Sequence, residues 1–91
     1  MPEAKGQFVV VNKLGLHARA AAKLVQVASS FPCQITVGRD GQKANAKSVM
    51  GVLLLCGSQG TVVDIEASGE RAEDAVQAIG ELIDNRFGEA E

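Results

Sequence analysis

The pattern of apolar residues changes from strand-like alternation to helical spacing within residues 61–88, TVVDIEASGERAEDAVQAIGELIDNRFG. This change decides the fold class. In residues 61–67, apolar side chains alternate with Asp64 and Glu66, which is typical of an antiparallel strand with one solvated face. The apolar residues that follow recur at helical spacing, at Ala72, Ala75, Val76, Ile79, Leu82 and Ile83. A half-covered strand next to an amphipathic helix predicts an α+β fold, with helices against one face of an antiparallel sheet.

Charged residues near the ends of this last helix agree with the helix dipole. Glu70, Glu73 and Asp74 lie near its start and Arg86 near its end, where each sign of charge is stabilising. Gly88 is expected to close the helix, because glycine adopts the left-handed backbone conformation without strain.

Three more strands are predicted upstream. Residues 7–12, QFVVVN, form a β-branched and aromatic run that predicts a first strand covered on both faces or nearly so. Residues 34–46 predict two strands joined by a turn at Asp40-Gly41, the second of them at the sheet edge. With two helices between the strands, the order is βαββαβα within a single domain of residues 1–91.

The two upstream helices differ in character. The first follows His17 and ends before Pro32, because proline pushes the preceding residue out of the helical region. Its apolar side recurs at helical spacing, at Ala21, Leu24, Val25 and Ala28. The second lies in residues 47–57, KSVMGVLLLCG, with Ser48 as its cap. It has more apolar side chains than one face can hide, which predicts an exposed docking patch.

Composition argues against several classes of function. The formal net charge is -2 and 3% of residues are aromatic, so neither a basic surface nor stacking platforms for nucleic acid are expected. Cys33 and Cys56, with one histidine, make no recognisable four-ligand zinc site, and we expect two small buried side chains in a reducing compartment. The sequence has no signal-like start and no apolar run of membrane length, which predicts a cytoplasmic protein without membrane insertion.

His17 is the only histidine, two residues before Arg19 at the start of an alanine-rich helix. If it lies just before the first helical turn, its backbone is extended and its ring lies over the amides of Ala18, Arg19 and Ala20. Such amides form a site for phosphate or another anion, and the Arg19 guanidinium suits phosphoryl oxygens. Lys23 adds positive charge one turn later.

A neutral imidazole can act as a nucleophile and carry a covalent group transiently, so the arrangement favours phosphoryl acceptance over hydrolysis. No second base, nucleophile or carboxylate pair accompanies His17, the sequence has no glycine-rich nucleotide loop, and no metal or cofactor is expected. The structural alternative is that His17 only caps the helix. Ser48 has the same double interpretation, as a cap or as a modified residue.

Three segments together resemble the HPr family, the histidine-containing phosphocarriers of the bacterial phosphoenolpyruvate-dependent phosphotransferase system. The phosphorylated-histidine motif of the family resembles residues 12–24, NKLGLHARAAAKL. Its regulatory serine motif resembles residues 44–55, ANAKSVMGVLLL, and its last strand and turn resemble residues 58–70, SQGTVVDIEASGE. The resemblance covers nearly the whole chain. It implies an open-faced β-sandwich, in which four antiparallel strands carry three helices on one side.

The resemblance also implies a relay. His17 would accept a phosphoryl group through Nδ1 from enzyme I, with Arg19 positioning the group, and would pass it to an enzyme IIA protein or domain. The protein would be a covalent carrier between two partners rather than an enzyme. Ser48 would be a regulatory phosphorylation site wherever an HPr kinase/phosphorylase exists.

A docking surface follows from the same resemblance. Its apolar residues would be Val49, Met50, Leu53 and Leu54. Together with Arg19, the side chains of Lys23 and Lys47 would surround them with positive charge. This arrangement predicts a partner with an acidic rim around an apolar centre, and a phosphate on Ser48 should weaken its binding.

Some residues depart from the family pattern and leave alternatives open. Ala20 stands where the family often has proline, which suits a first helical turn but is not chemically required. Three short segments look closer to the nitrogen-related branch of the family, NPr: residues 12–15 (NKLG), 53–56 (LLLC) and 87–91 (FGEAE). Sugar uptake and a nitrogen-branch regulatory phosphorelay therefore both remain open, as does a non-catalytic interaction domain on the same scaffold. A monomer is expected.

Overall fold

The computed structural model describes residues 2–91, and its order of elements confirms the predicted βαββαβα arrangement. The elements are β1 (Glu3–Val9), α1 (Ala18–Ser29), β2 (Gln34–Arg39), β3 (Gln42–Asn45), α2 (Val49–Leu54), β4 (Val62–Ser68), α3 (Ala72–Asp84) and a 3-10 turn (Arg86–Gly88). No helix within residues 2–91 has the length and apolar character needed to cross a membrane.

The four strands form one antiparallel sheet in the order β1-β4-β2-β3. Strand β4 is central, because it pairs with β1 along its whole length and with β2 over residues 64–68. Its predicted alternation is confirmed: Val63, Ile65 and Ala67 are buried, whereas Asp64 and Glu66 are partly exposed. Strand β3 lies at an edge, as the sequence predicted.

The core lies between the inner face of the sheet and the helices. Helix α3 packs on β1 and β4, and α1 packs against α2 and α3. The residues of α1 and α3 that solvent does not reach are Ala20, Ala21, Leu24, Ala28, Ala75, Ile79 and Ile83. The apolar stripes predicted from the helical period are therefore the faces that build the core.

The prediction for the first strand was wrong in its bounds and in its burial. Strand β1 is Glu3–Val9 rather than residues 7–12, and its side chains alternate between exposed and partly buried positions. At Val10 the chain leaves the sheet, and the amide of Val10 donates to the carbonyl of Thr61 at 2.9 Å. Because β1 is an edge strand with an uncovered outer face, its exposed positions tolerate Glu3 and Lys5.

Two other expectations were also wrong. Helix α3 ends at Asp84, so Arg86 and Gly88 lie in the following turn rather than at the helix terminus. Arg86, Phe87 and Gly88 all have positive φ angles, and this tight turn directs the chain back towards α1. Cys33 is buried as expected, but Cys56 is exposed with a φ of 53°, because the chain turns sharply after α2.

Gly15 fixes the loop that leads to His17. Its φ is +66°, and an added Cβ would lie 2.4 Å from the carbonyl oxygen of Gly57. The next residue, Leu16, donates its amide to that oxygen at 2.7 Å. The loop before α1 therefore rests directly on the loop before β4, with no room for a side chain at Gly15.

We predict that Gly15→Ala destabilises the protein more than Gly41→Ala. Both glycines have positive φ, but a Cβ added at Gly41 would meet nothing within 4 Å, so only backbone strain of about 1–2 kcal/mol is expected there. At Gly15 the clash with backbone adds to the strain, for a total of about 3 kcal/mol or more. Urea unfolding measures both losses, and equal losses would contradict the contact with Gly57.

Candidate functional site

His17 is the N-cap of α1, as predicted. Its backbone is extended, with φ -74° and ψ 177°, and its carbonyl accepts the first helical hydrogen bond from Ala21 at 2.8 Å. The ring turns back over the helix start, where Nδ1 accepts from the amide of Arg19 at 3.3 Å. This bond assigns the lone pair to Nδ1 and therefore the ring proton of the neutral form to Nε2.

The surroundings of Nδ1 favour an anion. The amides of Ala18, Arg19 and Ala20 open the 12-residue helix α1, whose first turn contains no acidic side chain to compete with a ligand. The Arg19 side chain is exposed at the same place. It lines an open groove together with Lys13, Leu14 and residues 88–91. The Nδ1 lone pair, the helix amides and this groove thus lie at one end of α1.

The C-terminal tail folds over this end of the helix and is anchored at several points. The ring of Phe87 is fully buried, and its carbonyl accepts from the Nζ of Lys23 at 2.7 Å. Further along, the carbonyl of Glu91 accepts from the amide of Lys13 at 3.0 Å. Glu89 lies between these anchors, and its side chain contacts the ring of His17.

Glu89 binds the far nitrogen of the His17 ring. Its Oε2 contacts Nε2, while its Oε1 accepts from the buried amide nitrogen of Asn12 at 3.0 Å. The same nitrogen of Asn12 donates to the Gly15 carbonyl at 2.8 Å. The side chains of His17 and Glu89 are only 23% and 12% exposed, so the contact is partly shielded from water.

These contacts change the acidity of Glu89. The hydrogen bond from His17 is the largest cause that lowers its pKa, and the bond from Asn12 lowers the pKa further. Partial burial of the carboxyl raises its pKa, but by less than the hydrogen bonds lower it. At neutral pH the group beside Nε2 is therefore a carboxylate.

The two lysines of the expected docking surface are engaged within the fold. Lys23 Nζ binds the Phe87 carbonyl, and Lys47 Nζ donates to the Phe31 carbonyl at 2.7 Å. Each ammonium has three donors, so both keep their charge and further hydrogen-bonding capacity. Their position near the surface is as expected, but they are held in place rather than free.

Ser48 is the N-cap of α2, and its Oγ accepts from the amide of Gly51 at 3.1 Å. The expected cap is therefore confirmed, while its modification stays a prediction. The helix that follows contributes one fully buried residue, Val52, to the core.

An apolar patch is exposed beside Ser48. Met50 and Leu54 are 67% and 71% exposed, and Val49 is also exposed. Leu53, the fourth expected docking residue, packs partly against the core. Leu14 is 64% exposed in the loop before α1 and was not predicted. We call Val49, Met50 and Leu54, which lie on α2, the apolar patch.

Asn12 and Glu89 were missed as site residues. Glu89 and His17 are 72 positions apart, and no spacing rule connects an acidic tail to a helix start. Asn12 looked like the polar end of a strand, although it is fully buried. Among residues 2–91, no group of three or more histidine, cysteine or acidic side chains is placed to hold a metal ion.

Comparisons with known proteins agree on one family. The family described as the PTS HPr component phosphorylation site matches residues 4–85. A phosphocarrier protein HPr of Xylella fastidiosa is 53% identical over 83 residues, which cover 91% of this chain and 93% of that protein. A phosphocarrier protein NPr of Shewanella violacea is 42% identical over 90 residues, 99% of each chain. The crystal structure of HPr-C-His from Thermoanaerobacter tengcongensis superimposes with a TM-score of 0.91, at 47% identity and with full coverage of both chains.

We predict that removal of the His17 ring raises the pKa of Glu89. In the wild type this pKa lies below the ordinary value of a glutamate, so the contact stabilises the fold at pH values above that ordinary pKa, and its contribution is lost as the pH falls through the lowered pKa. In His17→Ala the largest cause is absent, and the titration of the Glu89 carboxyl should move upwards. NMR of the carboxyl carbon measures it.

Lys13→Ala is the matched control, because Lys13 Nζ pairs with Glu91 at 3.6 Å and is not among the groups that lower the Glu89 pKa. It should leave the Glu89 titration in place. An unchanged Glu89 pKa in His17→Ala would contradict the contact.

Proposed function

This chain belongs to the HPr family of phosphocarrier proteins, and we propose that His17 accepts a phosphoryl group from enzyme I and passes it to an enzyme IIA protein or domain. Family membership implies a phosphoryl carrier rather than a catalyst. The observation that carries the proposal is the position of Nδ1, which bears a lone pair at the first amides of α1. A group bonded there lies where an anion is stabilised.

The chemistry requires only this ring and a phosphorylated donor. The Nδ1 lone pair attacks phosphorus, a bond between nitrogen and phosphorus forms, and the bond to the donor breaks with its electron pair returning to the donor. The 3.3 Å bond from the Arg19 amide is long, so this amide can turn from the nitrogen to a phosphoryl oxygen at little cost. Transfer to the recipient reverses the same steps.

Arg19 supports the phosphoryl group from its side chain. A guanidinium binds two phosphoryl oxygens at once and stays charged throughout. Its exposed position leaves it available to the phosphoryl group on His17 and to an acidic partner. We therefore give Arg19 a positioning role and Ala18, Arg19 and Ala20 a role through their backbone amides.

The apolar patch is our candidate for partner docking. Lys47 comes directly before the Ser48 cap of α2, and α1, which carries Arg19 and Lys23, packs against α2. A partner surface with an apolar centre and an acidic rim would therefore fit the patch. Exposed apolar side chains of this size release free energy when a partner covers them. Within the expected docking set, Leu53 contributes less than the other apolar members, because it packs partly against the core.

A second candidate uses the same chemistry for regulation. The similarity to an NPr as well as to HPr proteins supports a nitrogen-branch phosphorelay without sugar transport. In either branch we propose that residues 1–91 act as one domain and as a monomer in the cytoplasm. The rival from another class, an interaction domain in which His17 is only a cap, predicts no covalent phosphoryl transfer.

We predict that incubation with enzyme I and phosphoenolpyruvate adds one phosphoryl group to the wild type and none to His17→Ala. Intact-mass analysis detects the addition, which should be acid-labile because it is on nitrogen. Arg19→Ala should accept the group more slowly, and Arg19→Lys should recover only part of the rate, since lysine lacks the planar fork.

Ser48→Ala is the control for the wrong acceptor and should still gain one group. If enzyme I is active on another carrier but leaves this protein unmodified, the phosphocarrier proposal fails. A gain in His17→Ala would move the acceptor elsewhere.

We also predict that negative charge at Ser48 weakens binding to enzyme I. Ser48→Asp keeps a side chain that caps helices well and adds one charge, while Ser48→Asn caps equally well without a charge. We expect the dissociation constant to rise about fivefold for Ser48→Asp, since rim charges act by electrostatic complementarity, and to change little for Ser48→Asn. Calorimetric titration measures both, and equal weakening would point to cap geometry instead.

A further inference from the structure

The contacts of Glu89 form a chain of three side chains that ends on His17. The amide nitrogen of Asn12 donates to Glu89 Oε1 at 3.0 Å, and Glu89 Oε2 contacts His17 Nε2. On the opposite side of the ring, Nδ1 faces the amide of Arg19. The two ring nitrogens therefore have opposite partners, an acceptor for Nε2 and a donor for Nδ1.

The orientation of Asn12 follows from its neighbours. Its Nδ2 supplies both the Gly15 carbonyl and Glu89, so a rotated amide would place its oxygen against two acceptors. Its own Oδ1 is buried and has no hydrogen-bond partner among residues 2–91. The orientation of this amide is therefore set by the two groups that its nitrogen supplies, one of which is Glu89.

The tail that carries Glu89 is built into the fold. Phe87 is fully buried two residues earlier, and Lys23 Nζ holds its carbonyl at 2.7 Å. Glu91 is held by the amide of Lys13 at 3.0 Å two residues later. The carboxylate is therefore presented to the ring from a fixed backbone and not from a free end.

We propose that Glu89, held by Asn12, is a positioning residue that keeps the ring proton on Nε2 and balances the positive charge that His17 gains when its Nδ1 becomes phosphorylated. The inference rests on the proposed function and concerns the same site. It assigns a role in phosphoryl transfer to the C-terminal tail.

The charge balance of the step explains this role. When Nδ1 gives its lone pair to phosphorus, the proton stays on Nε2 and the ring becomes cationic, while the donor recovers the electron pair of the broken bond. A carboxylate at Nε2 is then paired with a full positive charge instead of a dipole, so its interaction with the ring strengthens during the step. The phosphoryl charge is met separately, by the amides at the other nitrogen.

The test uses three tail variants of the full-length protein. Glu89→Gln keeps a side-chain oxygen that can accept from Nε2 but loses the charge, and Glu89→Ala loses both. Glu91→Ala is the matched control, because it also removes one tail carboxylate, but one that is exposed and paired with Lys13. Urea unfolding first establishes that all three fold.

We expect Glu89→Ala to accept the phosphoryl group from enzyme I about tenfold more slowly or worse, with a fall in kcat and little change in KM. Opposite charges in contact commonly stabilise a charged group by at least that factor. Glu89→Gln should show most of this loss, and Glu91→Ala almost none. A faster rate in Glu89→Ala would mean that the tail covers the site, and would overturn the proposal.

NMR of the imidazole nitrogens provides a readout without phosphoryl transfer. The wild type should show a hydrogen-bonded Nε2 proton that exchanges slowly enough to be observed. In Glu89→Ala it should exchange rapidly and disappear, while Glu91→Ala keeps it. If this proton is absent from the wild type, the positioning role fails even though phosphorylation succeeds. If the proton is present but the wild type accepts no phosphoryl group, the proposed function fails and the ring contact stands.

Discussion

The backbone hydrogen bond from Leu16 to the Gly57 carbonyl, 2.7 Å long, joins the loop before α1 to the loop before β4. It forms because Gly15 has no side chain, since a Cβ there would lie 2.4 Å from the same oxygen. Strand β4 pairs with two neighbours, so the place of residue 57 follows from the centre of the sheet. The ring of His17, two residues after Gly15, therefore takes its position from the sheet as well as from its own helix.

The two sides of that ring have opposite electrostatic surroundings. Nδ1 lies at the positive end of the α1 dipole, where an anion is stabilised, whereas Nε2 lies against the Glu89 carboxylate. An anion at Nδ1 and a positive charge on the ring would therefore be stabilised at separate places. The site is partly exposed, which suits the reversible phosphoryl transfer that we propose.

Helix α2 contributes little to the core and much to the surface. Its six residues bury Val52 completely, while Met50 and Leu54 remain more than two-thirds exposed. A short helix cannot turn all its apolar residues inward, so the fold gives up the free energy of burying them. Because Ser48 caps this helix, any charge on its side chain lies directly beside the exposed residues. A substitution at Ser48 therefore affects both the stability of α2 and the docking surface that we propose.

Local rules were sufficient for the periodicity of β4, α1 and α3 and for the caps at His17 and Ser48, because each depends on residues within one or two turns. They failed to predict that one face of the first strand is exposed and that Cys56 is exposed, because burial depends on which elements pack against a residue. The sequence by itself therefore determined the order of the elements and the place of His17 at the start of α1. Only the tertiary structure decided that Asn12 and Glu89 meet His17, because a contact between residues 72 positions apart depends on the path of the whole chain.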